Sequence, residues 1–271
     1  MPGSVTSVFS EAENFAAALR AEGVLSLVVT GNGEFRARLT RVTLQSLRLS
    51  AAEEHLSRTG LVDVPAGMTL VALTRGTAFA PFWGGVRLGA DEVMTLGASQ
   101  RVHMRTDGPC RWGSIWLPNG DLVRYGNAVT GAAFAVPPAA RWRLRPAMIR
   151  HLRQLYMAGI DASERRSSTF IGNQAAHGLE QQLIEAMVEC LANGSLIEAS
   201  DRTREHQDTV LRFEALLQTQ PEQALRIAEI RRMLGVSARD LRLACEGQLG
   251  MNPVAYARRR RLQMVQSVKV S

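Results

Sequence analysis

The chain has 271 residues, 46% of them hydrophobic and 21% charged, with a net charge of +7; this is ordinary for a soluble globular protein and long enough for two compact units with separate cores. The charge is uneven: ten of the 32 basic and four of the 25 acidic residues lie between Pro221 and Ser271, which leaves the first 220 residues nearly neutral. A basic tail on a neutral body fits a nucleic-acid-binding module attached to something else. Three scattered cysteines, Cys110, Cys190 and Cys245, have no C-x-x-C spacing and point to a reduced, cytoplasmic protein. Early Glu11 and Glu13 argue against a secretion leader, and the longest uncharged run, Tyr125 to Ala140, holds Gly126, Gly131, Pro137 and Pro138 and is too short to span a bilayer. Lys269 is the single lysine against 31 arginines, a bias that reflects codon usage more than guanidinium chemistry.

In chain order, Ser10 to Glu22 reads as a short amphipathic helix with Phe15, Ala18 and Leu19 on one side. From Val24 to about Pro138, short apolar segments alternate with turns such as Gly31-Asn32-Gly33 and Pro118-Asn119-Gly120-Asp121, the texture of an all-β sandwich or barrel. Phe35, Ala37 and Leu39 alternate cleanly while Val42 and Leu44 change parity, which predicts a bulge or bend near Thr40. Past Arg145-Pro146 the pattern becomes helical: Ala147 to Gly159, a polar loop from Asp161 to Ser168, then a long helix from Asn173 to Leu191. Leu179, Leu183, Ala186, Met187 and Leu191 form a stripe on that helix, available either as a homodimer seam through 173–191 or as packing against the β part. Glu198 to Glu205 reads as a polar linker, and Asp208 to Thr219 as the next helix.

The last segment carries the clearest signal. Ile227, Ile230 and Leu234 give one apolar face, Gly235 ends that helix, and Ser237 caps the next. In the second helix Leu241, Ala244 and Cys245 turn inward while Arg239 and Arg242 turn out. This is the layout of a helix-turn-helix, whose second helix, about 237–246, enters the DNA major groove. Asn252 followed by Pro253 reads as an N-cap and first helical position.

The run Ile230, Gly235, Val236, Ser237, Arg239, Leu241, Leu249, Gly250, Pro253, Tyr256, Arg260, Arg261 and Leu262 resembles the first DNA-binding half of AraC/XylS-type transcription regulators, over about a fifth of the chain. Arg231 stands where that family usually has a small residue, and Cys245 where it usually has phenylalanine. The resemblance implies a cupin-like jelly roll ahead of the DNA-binding part and a second helix-turn-helix after it. The chain stops at Ser271, so the expectation is that the second unit is absent, with a truncated or shifted end at Gln266 to Ser271. The expected organisation is α+β: residues 1–143 a β-rich cupin-like sensing domain, 144–200 a helical linker or dimerisation region, and 205–271 the helix-turn-helix unit.

The partner implied is double-stranded DNA. Arg239 and Arg242 are expected to contact bases, each arginine–guanine pair supplying ~1–3 kcal/mol of discrimination. Leu243 is expected against a thymine methyl or half-buried, and Ser237 at a phosphate as well as capping. Arg258, Arg259, Arg260 and Arg261 occupy successive helical positions roughly 100° apart, so some face solvent or phosphate while at least one can pair with an acid of the β part. Phe79, Phe82, Trp83, Trp112 and Trp116 form an aromatic concentration that either lines a small-molecule effector pocket or is core. His55, His103, His151, His177 and His206 are isolated, with no H-x-H, so no metal or cofactor is expected. No nucleophile triad, phosphate loop or spaced carboxylate pair marks an enzyme. Two other readings stand beside the regulator: a sensing or dimerisation protein that modulates an intact relative or has lost function, and a cupin-type enzyme, which the missing histidine cluster disfavours.

Overall fold

The computed structural model describes residues 3–76, 80–165, 173–219 and 226–269. The first part of the chain runs β1 (Gly3–Phe9), α1 (Ala12–Arg20), β2 (Val24–Val29), β3 (Ala37–Thr43), β4 (Arg48–Glu54), β5 (Arg58–Asp63), β6 (Met68–Thr74), β7 (Phe82–Trp83), β8 (Val86–Arg87), β9 (Glu92–Leu96), β10 (Arg101–Thr106) and β11 (Cys110–Pro118). There follow α2 (Asn119–Thr130), β12 (Ala139–Arg143), α3 (Pro146–Arg165), α4 (Asn173–Asn193), β13 (Ser195–Ile197), α5 (Asp201–Thr219), α6 (Ile227–Leu234), α7 (Ala238–Leu249) and α8 (Pro253–Lys269). The class is α+β, with the strands in two antiparallel sheets ordered β1-β3-β4-β11-β6-β9-β12-β13 and β2-β5-β10-β7-β8.

The molecule is layered as helices, large sheet, small sheet, helices. Strands of the large sheet are apolar on both faces because both are covered. Leu70, Ala72, Trp112 and Trp116 face the small sheet, while their neighbours Val71, Leu73, Ile115 and Leu117 face α2, α3 and α4. A buried ion pair ties the two sheets at a corner: Arg58 on β5 donates from Nε and Nη2 to Glu54 on β4, both at 2.8 Å, and the Trp112 indole N–H donates to the same carboxylate. The third core joins α5, α6, α7 and α8, to which the small sheet contributes Val28.

Several expectations change here. No register break falls at Thr40: β3 pairs continuously with β4 from Ala37↔Glu54 to Thr43↔Arg48. The parity change arises because Ala37 and Leu39 pack between the sheets while Val42 packs under the helices. The turn expected at Pro118 to Asp121 is the start of α2, whose Leu122 is buried and whose Gly126 lies so close to the Phe134 ring that a Cβ would overlap it. Helix α3 continues past Gly159, which packs against Leu49 and Leu179, so Asp161 to Arg165 are helical rather than loop; the rest of that expected loop lies outside the described residues. The expected linker at 198–205 is mostly helix, because α5 starts at Asp201 with the Ser200 hydroxyl accepting from the Thr203 amide at 3.2 Å.

The α4 stripe is spent within the chain. Leu183, Ala186, Met187 and Leu191 are buried in the core that α4 shares with α2, α3 and the large sheet, and Leu179 packs half-buried on the same core. On the adjoining turn of α4, Glu180 accepts from the amides of Gln45, Ser46 and Leu47, so its carboxylate satisfies the β3–β4 turn. The five stripe residues therefore face the chain's own core, which is the second of the two uses expected of the stripe.

Candidate DNA-binding surface

Two short helices and a tight turn build the surface. Ile230 and Leu234 bury the inner face of α6, and Gly235, at φ +69°, reverses the chain while its neighbour's amide, Val236 N–H, reaches back to the Arg231 carbonyl. The Ser237 hydroxyl then accepts from the Asp240 amide at 3.1 Å and donates to the Asp240 carboxylate at 2.6 Å, which starts α7. Leu241, Ala244 and Cys245 are fully buried beneath α7 against Val210, Phe213 and Leu217 of α5, and burial pushes the Cys245 thiol up to about 12. Asn252 caps α8 by accepting from the Ala255 amide at 2.9 Å, with Pro253 at the first helical position.

Arg239 and Arg242 both stand exposed on the outer face of α7. Arg242 donates from Nε to Glu246 at 2.7 Å, and that hydrogen bond raises its pKa above the usual guanidinium value. Leu243 is half-buried at the side of this face. Across a groove of about 930 Å³, the N-terminal turns of α7 and α8 bring Arg242 together with Arg258, Arg259 and Asn252.

The four consecutive arginines of α8 separate by position. Arg258 and Arg259 are exposed, and Arg259 reaches the Thr30 carbonyl at 3.4 Å. Arg261 is half-buried. Arg260 is buried and donates from Nε to Glu214 at 2.7 Å, while the Tyr256 hydroxyl donates to the other Glu214 oxygen at 2.6 Å. Burial first, and Glu214 second, push the Tyr256 pKa well above its usual value, so it remains a donor. The acid expected on the β part is thus on α5 instead, and Arg260 is committed to the fold rather than to phosphate.

The unit rests on the outer face of the small sheet. Arg105 of β10 lies over the Phe82 ring at 4.1 Å and donates to the carbonyls of Glu246 (3.1 Å) and Gly247 (3.4 Å) near the end of α7. Gln248 donates from Nε2 to the Gly84 carbonyl at 3.0 Å. His103, on the same face of β10 as Arg105, is 1% exposed and meets the Tyr256 ring edge-on. Burial lowers its pKa to about 4, with Arg260 adding to the effect and Glu214 opposing it. Sequence reasoning missed Arg105, Gln248 and Glu214. Of these, only Glu214 left a trace, as an acid beside Phe213 within the apolar stripe of α5.

Trp83, Trp112 and Trp116 all belong to the core between the sheets; Phe79 lies outside the described residues. Among the described residues no group of three or more His, Cys, Asp or Glu side chains is arranged to hold a metal ion, and no helix is long and apolar enough to cross a membrane.

No protein-family model and no curated protein matches the sequence. Among solved structures, the AraC-like transcriptional activator CuxR aligns over 97% of this chain and 95% of its own, at 16% identity and a TM-score of 0.51. An apo ToxT variant from Vibrio cholerae aligns over 88% of this chain and 83% of its own, at 12% identity and a TM-score of 0.34. In fold, this chain is similar to an AraC-like transcriptional activator.

Proposed function

We propose that this protein is a DNA-binding transcription regulator that places α7 in the major groove. The observation that carries the reading is a serine-capped helix, packed on α5 and α6, that leaves Arg239 and Arg242 exposed one turn apart. Arg242, steadied by Glu246, presents its terminal nitrogens to guanine O6 and N7, and Arg239 reads an adjacent position. Arg258 and Arg259 hold phosphates across the α7–α8 groove, each neutralised phosphate steepening the log–log salt dependence by about 0.9. Arg260 belongs to the fold, and Ser237 acts as a cap. Leu243 sits at the edge, where a thymine methyl can meet it. The β-rich part, residues 1–143 with the helices of 144–200, is the sensing portion that carries this unit.

A second reading is a modulator that acts through an intact relative. Fluorescence anisotropy on candidate promoter and random fragments across a salt series separates the two. Fragment-preferring binding that Arg239→Ala/Arg242→Ala weakens by at least roughly tenfold supports direct readout. Equally weak binding to every fragment, unchanged in the double variant, overturns it.

A further inference from the structure

The two open sheets present four edge strands, β1 and β13 on the large sheet and β2 and β8 on the small one. An edge strand offers a row of backbone donors and acceptors to any other chain, and proteins blunt it by shortness, charge, bulges or a cover. Three of the four edges are blunted in this way. Strand β13 has three residues, and β8 has two, one of them Arg87. In β2 the register with β5 shifts between Val24 and Ser26, and Gln263 of α8 donates to the Leu27 carbonyl.

Strand β1 has none of these devices. Its seven residues, GSVTSVF, include no charge and no proline, and they pair with β3 without a break from Gly3↔Thr43 to Phe9↔Ala37. Among the described residues no other strand pairs with it. Its side chains alternate between the two faces of the sheet. The Phe9 ring meets Phe15 on the small-sheet side, with ring centres 5.4 Å apart, and the Thr6 hydroxyl meets that of Thr40 at 3.1 Å on the helix side. Val5 shares the first face and Val8 the second, yet they are 49% and 73% exposed. The layers that bury both faces of the sheet elsewhere therefore stop short of this strand.

The sequence of β1 suits a second copy of itself. A two-fold axis perpendicular to the sheet sets the strand antiparallel to its own copy and keeps like faces together. Centred on Thr6, that axis uses the whole strand: Thr6 meets its own counterpart, Val5 meets Ser7, Ser4 meets Val8, and Gly3 meets Phe9. No charge opposes a like charge, and each valine gains a cross-strand neighbour. Gly3, which has open space where a Cβ would stand, leaves room for the Phe9 ring. The pairing uses the same edge of both copies, so it closes at two.

We propose that β1 is the seam of a homodimer, pairing antiparallel with β1 of a second copy about an axis at Thr6 and joining the two large sheets into one.

The test is sedimentation velocity on the full chain over a concentration series, without DNA. A reversible monomer–dimer equilibrium is expected. Thr6→Lys sets two ammonium groups opposite each other at the axis, and Thr6→Glu sets two carboxylates there. Each is expected to abolish the dimer at concentrations where the unsubstituted chain forms it. Mixing the two variants places opposite charges across the axis and restores the dimer mass, an outcome that loss of folding cannot imitate. Val8→Lys, at a side chain clear of the Thr40 contact, adds a charge to the edge and also lowers the dimer fraction. Circular dichroism and thermal unfolding check that each variant keeps the fold. A chain that stays monomeric throughout the series, a dimer that survives all three variants, or association that continues past two copies overturns the seam. Loss of the dimer in both Thr6 variants with no recovery on mixing overturns the axis at Thr6. Because no DNA is present, the result is independent of whether α7 reads sequence.

Discussion

The β sandwich is covered by helices on both sides, but the two covers are attached by different chemistry. Against the large sheet, α2, α3 and α4 bury a continuous apolar layer that includes Val71, Ile115, Leu152, Leu183 and Met187. Against the small sheet, the cover of α5 to α8 has its own core, and the sheet's share of it is Val28. What joins this second cover to the sheet is largely polar or edge-on: Arg105 to α7 carbonyls, Gln248 to Gly84, Arg259 to Thr30, and His103 against Tyr256. Burial of apolar area binds without direction, whereas single hydrogen bonds fix an orientation at little net energy. The first cover is therefore integral to the sandwich, and the second is a unit positioned on it.

The strongest challenge to that contrast is Glu214→Ala, which strands Arg260 in a buried site without its carboxylate. Loss of one partner of such a pair costs about 3–5 kcal/mol. Hydrogen exchange is expected to show the loss concentrated in α5 to α8, with the sheets still protected; equal loss in α3 and α4 would show that the two covers unfold together. Leu183→Ala attacks the other cover and is expected to cost about 3 kcal/mol through lost burial and a cavity. Its effect on denaturant midpoint should extend to the large sheet.

Acid sharpens the same comparison. His103 has a folded pKa of about 4 against an ordinary 6.5, so between these values the unfolded chain holds a proton that the folded chain does not. Stability therefore rises with pH across that window and is lost as pH falls from 6.5 toward 4, by about 2–3 kcal/mol in all. His103→Gln should flatten this segment of the profile, read by thermal unfolding at a pH series. Ser237→Ala gives the smallest effect, about 1 kcal/mol from loss of the α7 cap. Local exchange at the Asp240 amide should register it before any global midpoint moves.

What could be read in advance followed the range of the interactions. Gly235, Ser237, Asn252 and Pro253 act on amides within a few residues, so the helix-turn-helix was legible from sequence alone. The β texture was also legible, yet α2 was hidden because Asn119-Gly120 reads equally as a turn; Leu122, packed in the distant core, decides it. The 100° spacing of Arg258 to Arg261 announced that the four would diverge. Which one turned inward depended on Glu214, 46 positions earlier. The tryptophans show the same limit, since composition cannot separate Trp112, bonded to Glu54 in the core, from Trp83, which also walls a cavity. The contacts of Arg105 and Gln248 left no local pattern at all.

The Arg105 contact bears on modularity. The carbonyl end of α7 is finished by a guanidinium 141 positions upstream, supplied by another layer of the molecule. A chimera that grafts residues 201–269 onto a foreign carrier would carry the exposed face of α7 intact but lose the cation that neutralises the negative end of that helix. Exchange between such proteins is then not a matter of cutting at a linker: a carrier is compatible when its strand presents an arginine where β10 does.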